Sequence, residues 1–141
     1  MGTRSNIGIR NIDNTFTGIY CHWDGYPSHV GKILLNHYND VDRVNALMEL
    51  GDLSSLRIKL NPEPGKPHTY DEQQDDVCVA YGRDRGETGV ESKLFKTLSQ
   101  FERYMDVSGV EYQYVFDTVV GEWTFRDYKS DWKQLTMEDC K

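Results

Sequence analysis

The stretch that most constrains this chain runs from Thr15 to Tyr38. Thr15-Phe-Thr-Gly-Ile-Tyr-Cys-His-Trp23 is rich in β-branched and aromatic residues and reads as a strand. Asp24-Gly25 turns the chain, Pro27 suits the approach to a helix, and Ser28 is the expected N-cap. Val30, Ile33, Leu34, His37 and Tyr38 then recur at i, i+3, i+4, i+7 and i+8, the stripe of an amphipathic helix. A strand that feeds a helix through so tight a turn must pack that helix back on its own sheet.

Ile7 and Ile9 alternate with polar residues in Ser5–Arg10, a strand that pairs with the next as a hairpin and brings Arg4 beside Trp23. Asp40 is placed to cap a second helix carrying Val41, Val44, Leu47 and Met48, with Gly51 at its end. Residues 52–60 fit either a helical turn or a strand. Residues 61–76 hold Pro62, Pro64 and Pro67 and the run Asp71–Asp76, and are expected to be a mobile loop. A short apolar strand at Val77–Tyr81 and a charged turn at Gly82–Glu87 follow. Thr88 and Glu91 have capping-box spacing before a helix marked by Leu94, Phe95, Leu98, Phe101 and Met105. Val110–Phe116 and Glu122–Tyr128 form a C-terminal hairpin, and Ser130 or Asp131 caps a last short helix with Trp132 and Leu135. Hairpins outnumber strand–helix alternations. The expected fold is α+β: a single domain spanning 1–141, with a largely antiparallel sheet of about five strands and three to four helices packed on one face.

A formal charge of −7 argues against general affinity for nucleic acid or an anionic membrane. Cys21, Cys78 and Cys140 are odd in number and widely spaced, which excludes a disulfide framework and fits reduced thiols. No window has the length and apolarity of a membrane span or a signal peptide, so a cytoplasmic setting is expected.

Several chemistries can be weighed at the junction. Gly25…Gly31-Lys32 is not a nucleotide phosphate loop, because five residues separate the glycines where four are needed and Ile33 follows the lysine. The helix start can still attract an anion through free N–H groups, with Ser28, His29 and Lys32 assisting. Cys21, His22, Asp24 and His29 lack the paired short spacing of a zinc site, and neighbouring strand residues face opposite ways, so no metal is expected. No catalytic motif is present. His37 on its apolar stripe and Cys78 in its strand are expected to pack in or at the edge of the core. Arg83 and Arg85 suit phosphate or carboxylate, but Asp84 and Glu87 can neutralise them within the loop. Trp23, Tyr26, Tyr112, Tyr114, Trp123, Phe125, Tyr128 and Trp132 exceed what a small core needs, which points to a covering helix or to self-association.

Gly2-Thr3-Arg4-Ser5 and Tyr20-Cys-His-Trp-Asp-Gly-Tyr-Pro-Ser28 resemble small proteins encoded by phages and mobile elements, as do Gly31-Lys-Ile-Leu-Leu…His37-Tyr38 and Tyr81-Gly-Arg-Asp-Arg-Gly-Glu87. The resemblance covers the first 55 residues or so and returns at Arg83–Glu87. It implies a phage-type accessory protein and no particular chemistry. The resulting expectation is a non-enzymatic protein of the host cytoplasm, without cofactor, that binds a host factor or a small anionic, nucleotide-like ligand to blunt host defence. The expected site is Arg4, His22, Trp23, Asp24, Tyr26, Ser28, Lys32, Arg83 and Arg85. The alternatives are an enzyme acting on a phosphoester or nucleotide, with His22 or His29 as acid/base, and an acidic mimic of nucleic acid built on the Asp71–Asp76 run, binding a basic host protein.

Overall fold

The computed structural model describes residues 2–141. Its centre is the hairpin of β1 (Ser5–Arg10) and β2 (Phe16–Cys21), paired in register from Ser5 opposite Cys21 to Arg10 opposite Phe16. Past β2 a wide helical turn, Pro27–Gly31, runs into α1 (Lys32–His37), and α2 (Val41–Leu50) follows. The chain continues through β3 (Leu53–Ser55), β4 (Val79–Ala80), α3 (Tyr81–Arg85), β5 (Lys93–Phe95) and α4 (Leu98–Ser108). It closes with β6 (Tyr112–Asp117), β7 (Glu122–Asp127) and β8 (Lys133–Gln134).

The class is α+β in one domain, but the sheet has eight strands rather than five, and it is mixed. Its order is β4-β3-β2-β1-β6-β7-β8, with β5 on the same outer edge of β2 as β3. β1 lies parallel to β6 and β2 parallel to β3, whereas the remaining strand pairs are antiparallel. The helices also lie on both faces, not one. Alternation along the strands decides which face each residue meets. Ile7, Ile9, Ile19, Cys21, Tyr114, Phe116, Trp123 and Phe125 pack against Val30, Leu34 and Tyr38 of the first helical segment and against Val44 and Leu47 of α2. On the other face Phe16, Val115, Tyr104 and Phe101 cluster under α4, with Phe95 and Trp132 beside them. Gly8 and Gly18 sit opposite one another and leave room for the Phe101 ring: a methyl at either would come within 2.9 Å and 2.7 Å of it.

The covering helices account for most of the aromatic excess. Tyr114, Trp123 and Phe125 are buried, and Trp132 stacks over Phe101, while Trp23, Tyr26 and Tyr128 remain exposed.

Several local expectations change. Ser28 lies inside the helical turn and caps nothing, because Pro27 already begins it and no side chain caps that turn. Asp40 does cap α2, accepting the Arg43 N–H at 2.8 Å. α4 is capped by Thr97 rather than Thr88, and Lys93–Phe95 are not helical because they pair with the free edge of β2. Gly82–Glu87 is not a simple turn: Tyr81–Arg85 is a short helix ended by Gly86. Ser130 and Asp131 start no helix; Lys133–Gln134 extend the sheet instead. His37 is exposed, since α1 ends there and Tyr38 takes the core position. No described helix is long and apolar enough to cross a membrane.

Candidate functional site

The corner after β2 is held from three sides. His22 and Trp23 donate their N–H groups to the carbonyls of Leu53 and Ser54, both at 3.0 Å, so the chain stays attached to β3 after β2 ends. Asp24 adopts φ +56°, and Gly25 donates its N–H to the Thr3 carbonyl at 2.8 Å while its own carbonyl accepts from the Tyr114 hydroxyl at 2.7 Å. A side chain at position 25 would meet Ser5 Cβ at 2.8 Å and the Arg4 backbone at 3.0 Å, so the close approach demands glycine. Val30 N–H then closes on the Asp24 carbonyl at 3.2 Å. The Asp24–Pro27 turn is therefore architectural.

Hairpin register brings two candidate residues together. Ser5 lies opposite Cys21, so Arg4 falls opposite His22 on the α4 face. The Arg4 backbone is anchored to Glu111, whose carboxylate accepts its N–H at 2.9 Å. The Arg4 guanidinium reaches Gly109, at the C-terminal end of α4, where the helix dipole favours a cation. Among the described residues no carboxylate pairs with that guanidinium and no acceptor bonds it. The His22 Nδ1 and the Tyr20 hydroxyl are 2.8 Å apart. Partial burial lowers the pKa of His22, and the charge of Arg4 lowers it further, so the imidazole is neutral at pH 7. The Trp23 ring meets His22 edge-on at 4.7 Å and is 40% exposed. The result is an open cation, a neutral imidazole and an exposed aromatic ring on one corner.

The other predicted residues go elsewhere. Asp24 accepts a hydrogen bond from the Tyr26 hydroxyl at 3.2 Å, which raises the pKa of Tyr26, and neither bonds to Arg4. Ser28 and Lys32 line a separate groove of about 790 Å³ whose far wall is Arg57, Gln73, Asp75 and Asp76. Arg83 does not join the corner: β2 and β3 separate β1 from β4, a displacement of roughly 14 Å at ordinary strand spacing. All three of its guanidinium nitrogens are engaged, by the Asp84 carboxylate at 2.8 and 3.0 Å, the Leu60 carbonyl at 2.6 Å and the Cys78 carbonyl at 2.8 Å. Arg85 pairs with Glu87 at 3.4 Å and covers the Tyr70 ring.

Sequence reasoning missed Tyr20 and His68. Tyr20 stands two residues before His22 on a strand, which puts both on one face, so alternation could have found it. His68 gave no such signal. It is buried in the Pro-rich segment, accepts the Gln74 N–H at Nδ1 and thus carries its proton on Nε2, which donates to the Cys78 carbonyl at 3.0 Å and lies 3.4 Å from Asp84. The 61–76 segment is thereby tied to α3, with Gln74 donating further to the carbonyls of Glu63 and Lys66.

The three cysteines are free and buried, and burial pushes the Cys21 thiol up to about 12, which removes it as a nucleophile. Among the described residues no group of three or more His, Cys, Asp or Glu side chains is placed to hold a metal ion. Comparison with protein-family models, with curated proteins and with solved structures finds no match.

Proposed function

We propose that this chain is a non-enzymatic binding protein whose Arg4–His22–Trp23 corner takes a small anionic, nucleotide-like ligand, free or carried on a host factor. One observation carries the reading. In a chain of charge −7, Arg10, Arg83 and Arg85 each have a carboxylate partner, Arg43, Arg57 and Arg126 donate to carbonyl or amide oxygens, and Arg103 is exposed, yet the half-buried Arg4 has neither kind of acceptor among the described residues. Arg4 thus presents a fork of donors suited to phosphate, beside an imidazole able to donate and an aromatic face able to stack. The resemblance to phage and mobile-element proteins supports a phage accessory role in the host cytoplasm, directed at host defence. Mimicry of nucleic acid has less support, because Asp75 and Asp76 of the acidic run line grooves that Lys32, Arg57, Lys59 and Lys66 also line.

AMP serves as the probe, with uncharged adenosine as control, in a titration read by NMR. AMP should shift the resonances of His22 and Trp23 and raise the His22 pKa, and Arg4→Ala should weaken binding roughly tenfold or more. AMP-induced shifts at His22 and Trp23 that ignore Arg4→Ala, or adenosine shifting those two residues as strongly as AMP, overturn the proposal. The Tyr20–His22 hydrogen bond favours a second reading, in which His22 is the base of a phosphoester-processing enzyme. Turnover of a phosphodiester that disappears in His22→Gln would replace the first reading with this one.

A further inference from the structure

The opposite end of β1 carries a cleft, separate from the Arg4 corner. Arg10 ends the strand that Arg4 precedes, so the two sites lie roughly 20 Å apart along it. The cleft holds about 400 Å³, within the range of small-molecule pockets, and its surface is mostly apolar. Phe16, Leu98, Val115 and Trp132 supply the apolar walls.

Two of those walls are set by one buried ring. Phe16 stacks on Phe101 at 6.1 Å with planes 20° apart, and Trp132 stacks on the same ring at 6.4 Å with planes 29° apart. Phe101 is fully buried beneath Gly8 and Gly18, so it sets both rings from below. Trp132 is held from outside as well, donating from Nε1 to the Glu102 carboxylate at 2.7 Å. The walls are therefore held in place before anything binds, and aromatic walls favour a flat aromatic occupant.

The polar end of the cleft is a donor beside an acceptor. Arg10 Nη1 meets Asp117 Oδ2 at 2.9 Å, and the two side chains are 40% and 21% exposed. Asn14 Oδ1 accepts from Arg10 Nε and Nη2, and Asp117 Oδ1 accepts the Val119 N–H, which leaves one N–H on each of Nη1 and Nη2 and the second lone pair of Oδ2 for an occupant. The pair has no net charge, so it gives no advantage to an anion or a cation. A neutral ring edge that both accepts and donates hydrogen bonds matches it.

We infer that this cleft binds a planar, uncharged heteroaromatic ring of nucleobase type, stacked along Phe16 and Trp132 with its polar edge toward Arg10 and Asp117. Such a ring gains dispersion and stacking from the walls and hydrogen bonds at the edge.

Purine, which is flat, uncharged and has both donor and acceptor nitrogens, is the probe; benzoate and cyclohexanol are the charged and non-planar comparisons. Purine at millimolar concentration should quench Trp132 fluorescence and shift the amides of residues 16, 115 and 132 saturably. Leu98→Trp, at an exposed rim position, should fill the cleft and weaken binding at least roughly tenfold; Asp117→Asn should weaken it by several-fold. Arg4→Ala should leave purine binding unchanged, which separates this site from the corner. Absence of saturable shifts at these residues, equal binding of benzoate or cyclohexanol, or insensitivity to Leu98→Trp overturns the inference.

Discussion

Arg4 and Arg83 make an instructive pair. Both are arginines beside a β-strand and both stood out in the sequence, but their surroundings differ completely. Arg83 is bonded to a buried carboxylate and two backbone carbonyls, and its neighbours Asp84 and His68 bind the 61–76 segment to α3. Arg4 has only a helix end and a neutral imidazole beside it. Arg83, with four of its five N–H donors engaged, contributes to the fold; Arg4, with its fork free, is available to something else.

The largest effect expected from this contrast is on stability at the Arg83 cluster. Asp84 is buried and also accepts the Ala80 N–H at 2.8 Å, so Asp84→Ala leaves a cation and a backbone donor unpaired. A loss of about 3 kcal/mol in chemical denaturation is expected, against no more than about 0.5 kcal/mol for Arg4→Ala. Equal losses would erase the distinction. Gly25→Ala comes next. Its methyl would collide with Ser5 and the Arg4 backbone, costing about 2 kcal/mol and displacing Arg4 from His22. A variant of unchanged stability would mean the corner is looser than the contacts imply.

The smallest effect is on pH dependence. The unfolded chain protonates His22 near its ordinary value of 6.5, while the folded chain does so only at lower pH. Between those values the unfolded state binds more protons, so stability falls as pH drops through about 6.5. His22→Gln should remove that contribution, worth about a few tenths of a kcal/mol given its solvent exposure, as measured by melting at pH 5 and pH 8. Arg4→Ala should move the His22 titration upward; a titration that stays put would dissociate the two side chains.

How much of this was legible depends on how local each cause is. Period-two alternation gave β1, β2, β6 and β7, and Asp40 announced the start of α2, because those signals lie within a few residues. The apolar run Val77–Tyr81 read as a strand and holds β4, but β3, β5 and β8 have two or three residues each and exist only because an edge is available to pair with. Thr88 and Thr97 both precede Glu or Gln by three residues; the pairing of Lys93–Phe95 with β2 decides between them. The closeness of Arg4 and His22 was readable from the hairpin. The engagement of Arg83 by the Leu60 and Cys78 carbonyls was not, since it joins residues 23 and 5 positions away through a loop without periodicity.

The parallel pairing of β1 with β6 also bears on how the chain is made. Asn6 and Gln113, hydrogen-bonded neighbours in that pairing, lie 107 residues apart. At ribosomal rates of about 5–20 residues per second, the β1–β2 hairpin waits roughly 5–20 s before β6 emerges to cover its inner edge. During that interval the row of N–H and C=O groups on β1, later the middle of the sheet, is an open edge able to pair with any extended segment nearby. Slowing translation after β1, or crowding nascent chains together, should therefore raise misfolding more than the native sheet, with β1 at its centre, would suggest.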